Sequence, residues 1–168
     1  MSCMIVDIHN TNKKYDIVYT DPPWPQYKSN FRKSRPNQLK SLDYETMTLE
    51  DIQVLHNQFL NNNTNQYHNV FMWTIDKYLI DTELMMNKLG YIRHCRFIWN
   101  KENGICPAFT VRFSHEYLIW FYKKGCMLKP DKDTIGKYTT VFNEKSGSIV
   151  TSLTASMLIF EMTRAIIE

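Results

Sequence analysis

Asp21, Pro22, Pro23 and Trp24 follow directly on the apolar run Ile17-Val18-Tyr19. Proline carries no backbone N–H and cannot continue a sheet ladder, so a strand running through Tyr19 must stop here. Just past the strand end stand a carboxylate and a proline carbonyl, two hydrogen-bond acceptors on stiff backbone. Such a pair suits an exocyclic aromatic amine such as adenine N6. The lone pair of that nitrogen is delocalised into the ring, which makes it a poor nucleophile. Acceptors that take both N–H hydrogens draw the nitrogen toward a tetrahedral shape and free the lone pair for an incoming methyl group. The carboxylate also stabilises the positive charge that grows on nitrogen, and Trp24 offers a flat wall for a base taken out of its stack. An acid before two prolines is equally an ordinary strand-ending turn, and a tryptophan beside it an ordinary core anchor.

The elements that must position these residues alternate in type. A short buried strand is expected at 17–19 and a polar loop at 25–43. A helix is expected from Thr48, with Asp51 three residues on as its capping-box partner and Ile52, Leu55 and Phe59 on one face. The Asn-rich segment 61–69 reads as a turn. A second buried strand is expected at 70–73, then a helix at 77–89 stopped by Gly90. Further strands are expected at 97–99, 109–113 and 116–122, with a loop after Lys124-Gly125. Met85 and Met86 read as packing residues. Strands interleaved with helices argue an α/β sheet.

Bulk properties exclude more than they select. A chain of 168 residues with 43% hydrophobic and 22% charged residues suits one globular domain rather than a disordered segment. A net charge of +3 is too small to argue nucleic acid by itself. Cys3, Cys95, Cys106 and Cys126 include no Cys-x-x-Cys pair, so neither a zinc site nor a disulfide scaffold is expected, and no metal is assigned. No apolar stretch is long enough to span a bilayer and no secretory pattern opens the chain, so a soluble intracellular protein, cytoplasmic or nuclear, is the expectation. Lys28, Arg32, Lys33 and Arg35, with Tyr27 and Phe31 between them, are placed to meet a phosphate backbone and stack bases. A solvated loop is the competing reading of the same charges.

Six further segments join Asp21–Trp24 in one order. They are Tyr44-Glu45-Thr46-Met47 before the helix from Leu49, Val70 through Thr74, and Leu89-Gly90-Tyr91 followed by Ile98-Trp99-Asn100-Lys101. His115-Glu116-Tyr117-Leu118 and Lys124-Gly125 complete the set. Together they resemble the adenosine N6-methyltransferases typified by the catalytic, seventy-kilodalton subunit of the mRNA methyltransferase. The resemblance covers about residues 15–125. It implies a Rossmann-like S-adenosylmethionine-dependent methyltransferase sheet with flanking helices, shortened at its C-terminal side. It implies methyl transfer to adenine N6 in DNA or RNA, with Asp21, Pro22, Pro23 and Trp24 catalytic. Asp21 and Pro22 would also meet the cofactor, and Tyr44 and Glu116 would line the substrate pocket. Without the resemblance, Tyr44 reads as a staple before a helix and Glu116 as a surface charge paired with Arg112. A protein partner or a second copy is a further expectation. The competing function is a catalytically silent nucleic-acid-binding or partner subunit that has lost cofactor binding.

The departure from that family lies in the tail. The family carries a His-Ser-x-Lys-Pro segment after the Lys-Gly turn, with a further strand and loop. Here Ser148-Ile149-Val150-Thr151-Ser152-Leu153-Thr154 and an apolar run to Glu168 stand instead. Those seven residues can be encoded TCC ATA GTC ACA AGC CTG ACA. Read from the third base, the same nucleotides give CAT AGT CAC AAG CCT GAC, which is His-Ser-His-Lys-Pro-Asp. Residues 148–168 are therefore read either as a divergent closing helix or as an out-of-frame tail.

Overall fold

The computed structural model describes residues 11–25, 45–102, 111, 113–130 and 132–145. Among the described residues five strands form one mixed sheet: β1 (Tyr15–Thr20), β2 (Thr64–Thr74), β3 (Tyr91–Lys101), β4 (His115–Lys123) and β5 (Val141–Glu144). Helix α1 (Leu49–Asn63) links β1 to β2, and a short 3-10 turn (Asp76–Tyr78) leads into α2 (Leu79–Lys88) between β2 and β3. The spatial order is β1-β2-β4-β3-β5. β1 runs parallel to β2, β4 is antiparallel to both β2 and β3, and β5 is parallel to β3. The carboxyl ends of β1, β2 and β3 and the amino end of β4 therefore share one end of the sheet. Asp21 follows β1 at that end.

Both helices cover one face. Val18, Val70, Met72, Ile119 and Phe121 of the sheet pack there against Ile52 and Leu60 of α1 and Met85 and Met86 of α2. The opposite face is aromatic, built from Phe71, Trp73, Phe97, Trp99, Leu118 and Trp120, with Ile17, Tyr19, Met127, Tyr138 and Phe142 against it. Burial of both faces is why Val70-Phe71-Met72-Trp73 reads as an unbroken apolar run rather than an alternating one. A β-bulge in β3 assigns its residues to these faces. Arg93 pairs with Phe121 and Cys95 with Trp120, which leaves His94 as the extra residue. Tyr91 and Phe97 are an even number of residues apart, yet Tyr91 faces the helices and Phe97 the aromatic side, because the bulge shifts the alternation by one.

The helix signals hold locally. The Asp51 N–H donates to Thr48 Oγ1 (3.1 Å), and the Thr48 hydroxyl donates to Asp51 Oδ2 (2.7 Å). Gly90, at φ 84°, ends the α2 segment, and its N–H reaches the Asn87 carbonyl at 3.0 Å. Met85 and Met86 are buried core residues, as expected.

The turn expected at 61–69 does not exist. Helix α1 continues to Asn63 and β2 starts at Thr64 without an intervening loop. The asparagines there act as long-range hydrogen-bonding groups. Asn63 Nδ2 donates to the carbonyls of Thr11 (2.7 Å) and Lys13 (3.1 Å), Asn65 Nδ2 to Asp16 Oδ1 (2.7 Å), and Asn69 Nδ2 to the Leu128 carbonyl (2.9 Å). The third strand is also longer than expected. It takes in Arg93, His94 and Arg96, whose polar side chains suit a stretch of β3 that β5 does not flank: β5 pairs only from Ile98 onward. The strand expected at 109–113, the loop at 25–43 and the tail from Ser148 fall wholly or largely outside the described residues.

Candidate active site

The Asp21–Pro25 turn is pinned at several polar groups. The Pro22 carbonyl accepts from the Trp24 N–H (2.8 Å), and the Pro23 carbonyl accepts from Met47 N–H (3.0 Å), tying the turn to the entry of α1. The Tyr78 hydroxyl donates to the Pro25 carbonyl. Trp24 is 3% exposed; its Nε1 donates to the Trp73 carbonyl (3.1 Å) and its ring stacks on Tyr78 at 5.5 Å and 18°. Trp24 thus anchors the turn to the helix-bearing core, and both the ring and the indole N–H already have protein partners. The core-anchor reading describes it, and no face of it is presented to a flipped base.

Thr20, the last residue of β1, is held from the helix side. His56 Nδ1–H donates to the Ile52 carbonyl (2.8 Å), which leaves Nε2 as the acceptor facing the Thr20 hydroxyl at 3.2 Å. Burial pushes the His56 pKa down, so the ring is neutral at pH 7. Alternation along β1 then turns Asp21 toward the aromatic face. Asp21 keeps an open side to solvent. The protein packed around it strips part of its hydration, Glu116 adds a like charge, and Lys101 offsets the two in part, which leaves its carboxyl pushed up to about 6. It is still roughly nine-tenths ionised at pH 7.

Arg112, named as a partner for Glu116 near the start of β4, lies outside the described residues. Glu116 pairs with Lys101 at the carboxyl end of β3, with Lys101 Nζ donating to Glu116 Oε1. Lys101 also lies over the Trp99 ring, 4.7 Å from its centroid. Asp21, Glu116 and Lys101 thus come from three strands to one end of one face. In the sequence Lys101 stands out only as part of a Trp-x-Lys pattern; its role comes from the β3–β4 register, which sets Trp99 opposite Glu116. On the helix-bearing face at the same end, His115 Nε2 and the Tyr117 hydroxyl are 2.8 Å apart. Tyr44, Lys28, Arg32, Lys33 and Arg35 lie outside the described residues.

A cavity of ≈ 330 Å³ runs along the outer flank of β1 and reaches Asp21 and Pro22, with Tyr15, Ile17, Thr20, Ile52, His56 and Phe59 among its walls. Its volume is in the range of small-molecule sites, and its lining is mainly apolar with one carboxylate. Among the described residues no cluster of three or more His, Cys, Asp or Glu is arranged to hold a metal ion. No helix among them is long and apolar enough to cross a membrane.

No family model and no curated protein matches this sequence. Solved structures do match in fold. The crystal structure of an M1.HpyAVI–SAM complex superposes with a TM-score of 0.61 at 16% identity, over 92% of this chain and 68% of that one. The crystal structure of M1.HpyAVI superposes with a TM-score of 0.59 at 17% identity, over the same 92% and 68%. This chain therefore shares the fold of those structures, a Rossmann-like mixed sheet with flanking helices, as the sequence led us to expect.

Proposed function

We propose that this chain is an S-adenosylmethionine-dependent methyltransferase acting on adenine N6 in DNA or RNA. The observation that carries the reading is the placement of Asp21: an ionised, partly desolvated carboxylate at the carboxyl end of β1, on a turn whose carbonyls and tryptophan are each held. In open α/β sheets that end is where ligands bind. The likeness to a fold solved with SAM bound supports the same cofactor here.

The residues present fit that cofactor. The cavity along β1 has apolar and aromatic walls for a purine, and Asp21 offers a carboxylate to a cationic group. When bound, S-adenosylmethionine supplies an electrophilic methyl on a sulfonium, whose sulfur keeps the C–S electron pair as the methyl leaves. Asp21 accepts one hydrogen of the N6 amine. The Pro22 carbonyl already takes the Trp24 N–H and has a second lone pair for the other hydrogen. The turn is held before substrate arrives, so the acceptors are preorganised. After transfer the nitrogen sheds one proton, and a carboxyl near 6 can take it and pass it to water. Glu116 and Tyr44 line the base site in this reading, and Pro23 and Trp24 act by holding the turn.

Lys28, Arg32, Lys33 and Arg35 supply phosphate contacts. Neutralising Arg32, Lys33 and Arg35 together is expected to weaken nucleic-acid binding and reduce the log K against log salt slope by about 2–3. An unchanged slope in a salt series would return these residues to a solvated loop. The function itself is tested with labelled S-adenosylmethionine on adenine-containing single-stranded DNA, duplex DNA and RNA. N6-methyladenine in any of the three supports it. Nucleic-acid binding with neither cofactor binding nor product in any of the three would favour the silent-subunit alternative.

A further inference from the structure

The Glu116–Lys101 pair stands on the face toward which Asp21 turns, and both partners are largely covered, with side-chain exposures of 30% and 17%. Lys101 is fixed from several sides. Its backbone N–H donates to the Ser114 carbonyl (2.7 Å), and β5 sets Glu144 opposite it in register. Its ammonium lies between the Glu116 carboxylate and the Trp99 ring. Trp99 is fixed in turn, because its Nε1 donates to the Glu144 carbonyl at 2.9 Å. A flexible lysine held at its backbone, along its ring contact and at its head group is not a freely solvated surface charge.

Other charged groups among the described residues also lie near this end. Glu116 comes from β4, and Lys101 and, across from it, Glu144 come from β3 and β5. From α1 come Glu50 and Asp51 in its first turn and the neutral His56, which reaches the end of β1 through Thr20. After β2 come Asp76 and Lys77 on the helix-bearing side, where Lys77 Nζ lies 4.8 Å from the Tyr78 ring centroid. Glu45, ahead of α1, is exposed.

We infer that Lys101 is a positioning residue of this site: bound to Glu116 and laid across Trp99, it ties the second carboxylate into an ion pair, so that Asp21 faces substrate as the uncompensated anion. This rests on the methyltransferase reading for its purpose but not for its test. Two free carboxylates facing one another would share a proton near neutral pH, and a protonated Asp21 would offer its O–H where an acceptor is needed. Lys101 prevents this without touching substrate. The Trp99 contact fixes the ammonium on the Glu116 side, which keeps it from neutralising Asp21 itself.

The test is a carbon-detected NMR titration of the Asp21 carboxyl in the wild-type chain, Lys101→Met, Lys101→Arg and Glu116→Gln, with Asp21→Asn assigning the signal. Loss of Lys101 removes a stabilising cation, so the midpoint in Lys101→Met should rise. Lys101→Arg should keep it near the wild-type value, and Glu116→Gln, which removes the like charge, should lower it. Methyl transfer by Lys101→Met should fall about fivefold at pH 6 and little at pH 8.5, as a midpoint raised by about one pH unit requires. An unmoved Asp21 midpoint in both Lys101→Met and Glu116→Gln overturns the inference, as does a loss of rate equal at all pH values that Lys101→Arg does not repair. If Lys101→Met does not fold, the fall expected in Glu116→Gln still decides. Midpoints that move as stated in a protein that methylates no nucleic acid would uphold the pairing and sink the proposed function instead.

Discussion

The two ends of the sheet both gather polar groups, and they finish them differently. At the end where β2 and β3 begin, His68 Nδ1–H donates to the Asn65 carbonyl and Nε2 accepts from the Tyr91 hydroxyl, each at 2.7 Å. Asn69 exchanges two hydrogen bonds with Leu128 (2.9 and 3.3 Å), and Asn63 spans to Thr11 and Lys13. Burial pushes His68 down and Tyr91 up to about 12, so both stay neutral at pH 7. At the other end, burial pushes Asp21 up to about 6, toward working pH, and its neighbours are charged. A closed neutral network has no capacity left for a ligand; its return is in stability. An open carboxylate beside an ion pair costs stability and keeps its capacity for chemistry. Perturbed titration marks both ends; the direction relative to pH 7 tells them apart.

Asp21→Ala is expected to have the largest effect and would break the comparison if it failed. Loss of one preorganised acceptor should cost about 10²–10³ in turnover, by analogy with removing a preorganised donor. The melting temperature should not fall. Asp21→Asn should melt higher than wild type at pH 7. The sign follows from the folded carboxyl at about 6 against an ordinary 3.8. The charged form carries a penalty in the folded state that is fully present above about 6. It fades as pH falls through 6 toward 3.8, where the folded state takes up the proton first. The advantage of Asp21→Asn should therefore shrink over that window. A variant with near-normal turnover removes Asp21 from the mechanism, and a collapsed melting temperature makes the open end structural after all.

Tyr91→Phe probes the closed end and should give the converse. It removes a hydroxyl from a fully enclosed pair and leaves His68 Nε2 without a donor at 2% exposure. The expected cost is ~1–3 kcal/mol of stability by denaturant unfolding. Turnover at a temperature where the variant remains folded should be within a factor of about two of wild type, since the pair lies at the far end of the sheet. A large loss of turnover in fully folded Tyr91→Phe would mean that the two ends are coupled.

How much of this was legible in the sequence depends on how local each cause is. The Thr48–Asp51 cap, the Gly90 stop and the strand end at Pro22 were readable because each is settled within a few residues. The Asn-rich segment misled because its side chains are satisfied by Thr11, Lys13, Asp16 and Leu128, and no local rule reveals partners that far away. The start of β3 was missed because a bulge at His94 breaks the alternation by which strands are read. In the site, Asp21 and Glu116 were named from pattern, while Lys101 was not assigned a role, since its meaning arises only when β3 and β4 pair. Trp24 carried two readings that sequence could not separate, and its ring on Tyr78 decides for the anchor. For residues 148–168 the coding nucleotides are the direct test: if they do not contain CAT AGT CAC AAG CCT in the shifted frame, the out-of-frame reading is dropped.

The smallest expected effect concerns a pair that blurs the comparison. His56 and Thr20 form a closed, neutral contact, in the manner of His68 and Tyr91, but at the open end and one residue from Asp21. Thr20→Val keeps the shape and removes the hydroxyl that donates to His56 Nε2. If the pair is only packing, the variant should lose ~1 kcal/mol and keep its turnover. If it also aims Asp21, turnover should fall several-fold at every pH while the Asp21 titration stays in place, because neither charge partner has changed. Protonation of His56 sharpens the choice. Its folded pKa lies below the ordinary 6.5, so its contribution to stability is present above 6.5 and is lost as pH falls below it. Wild type should therefore lose stability from this histidine as pH falls below 6.5. Thr20→Val retains the Ile52 bond and the burial, so it should lose stability along a parallel curve, offset by a constant amount. A Thr20→Val curve that converges on wild type at pH 5 would show that the hydroxyl matters only to neutral His56, and would fix the tautomer as the one with Nε2 as acceptor.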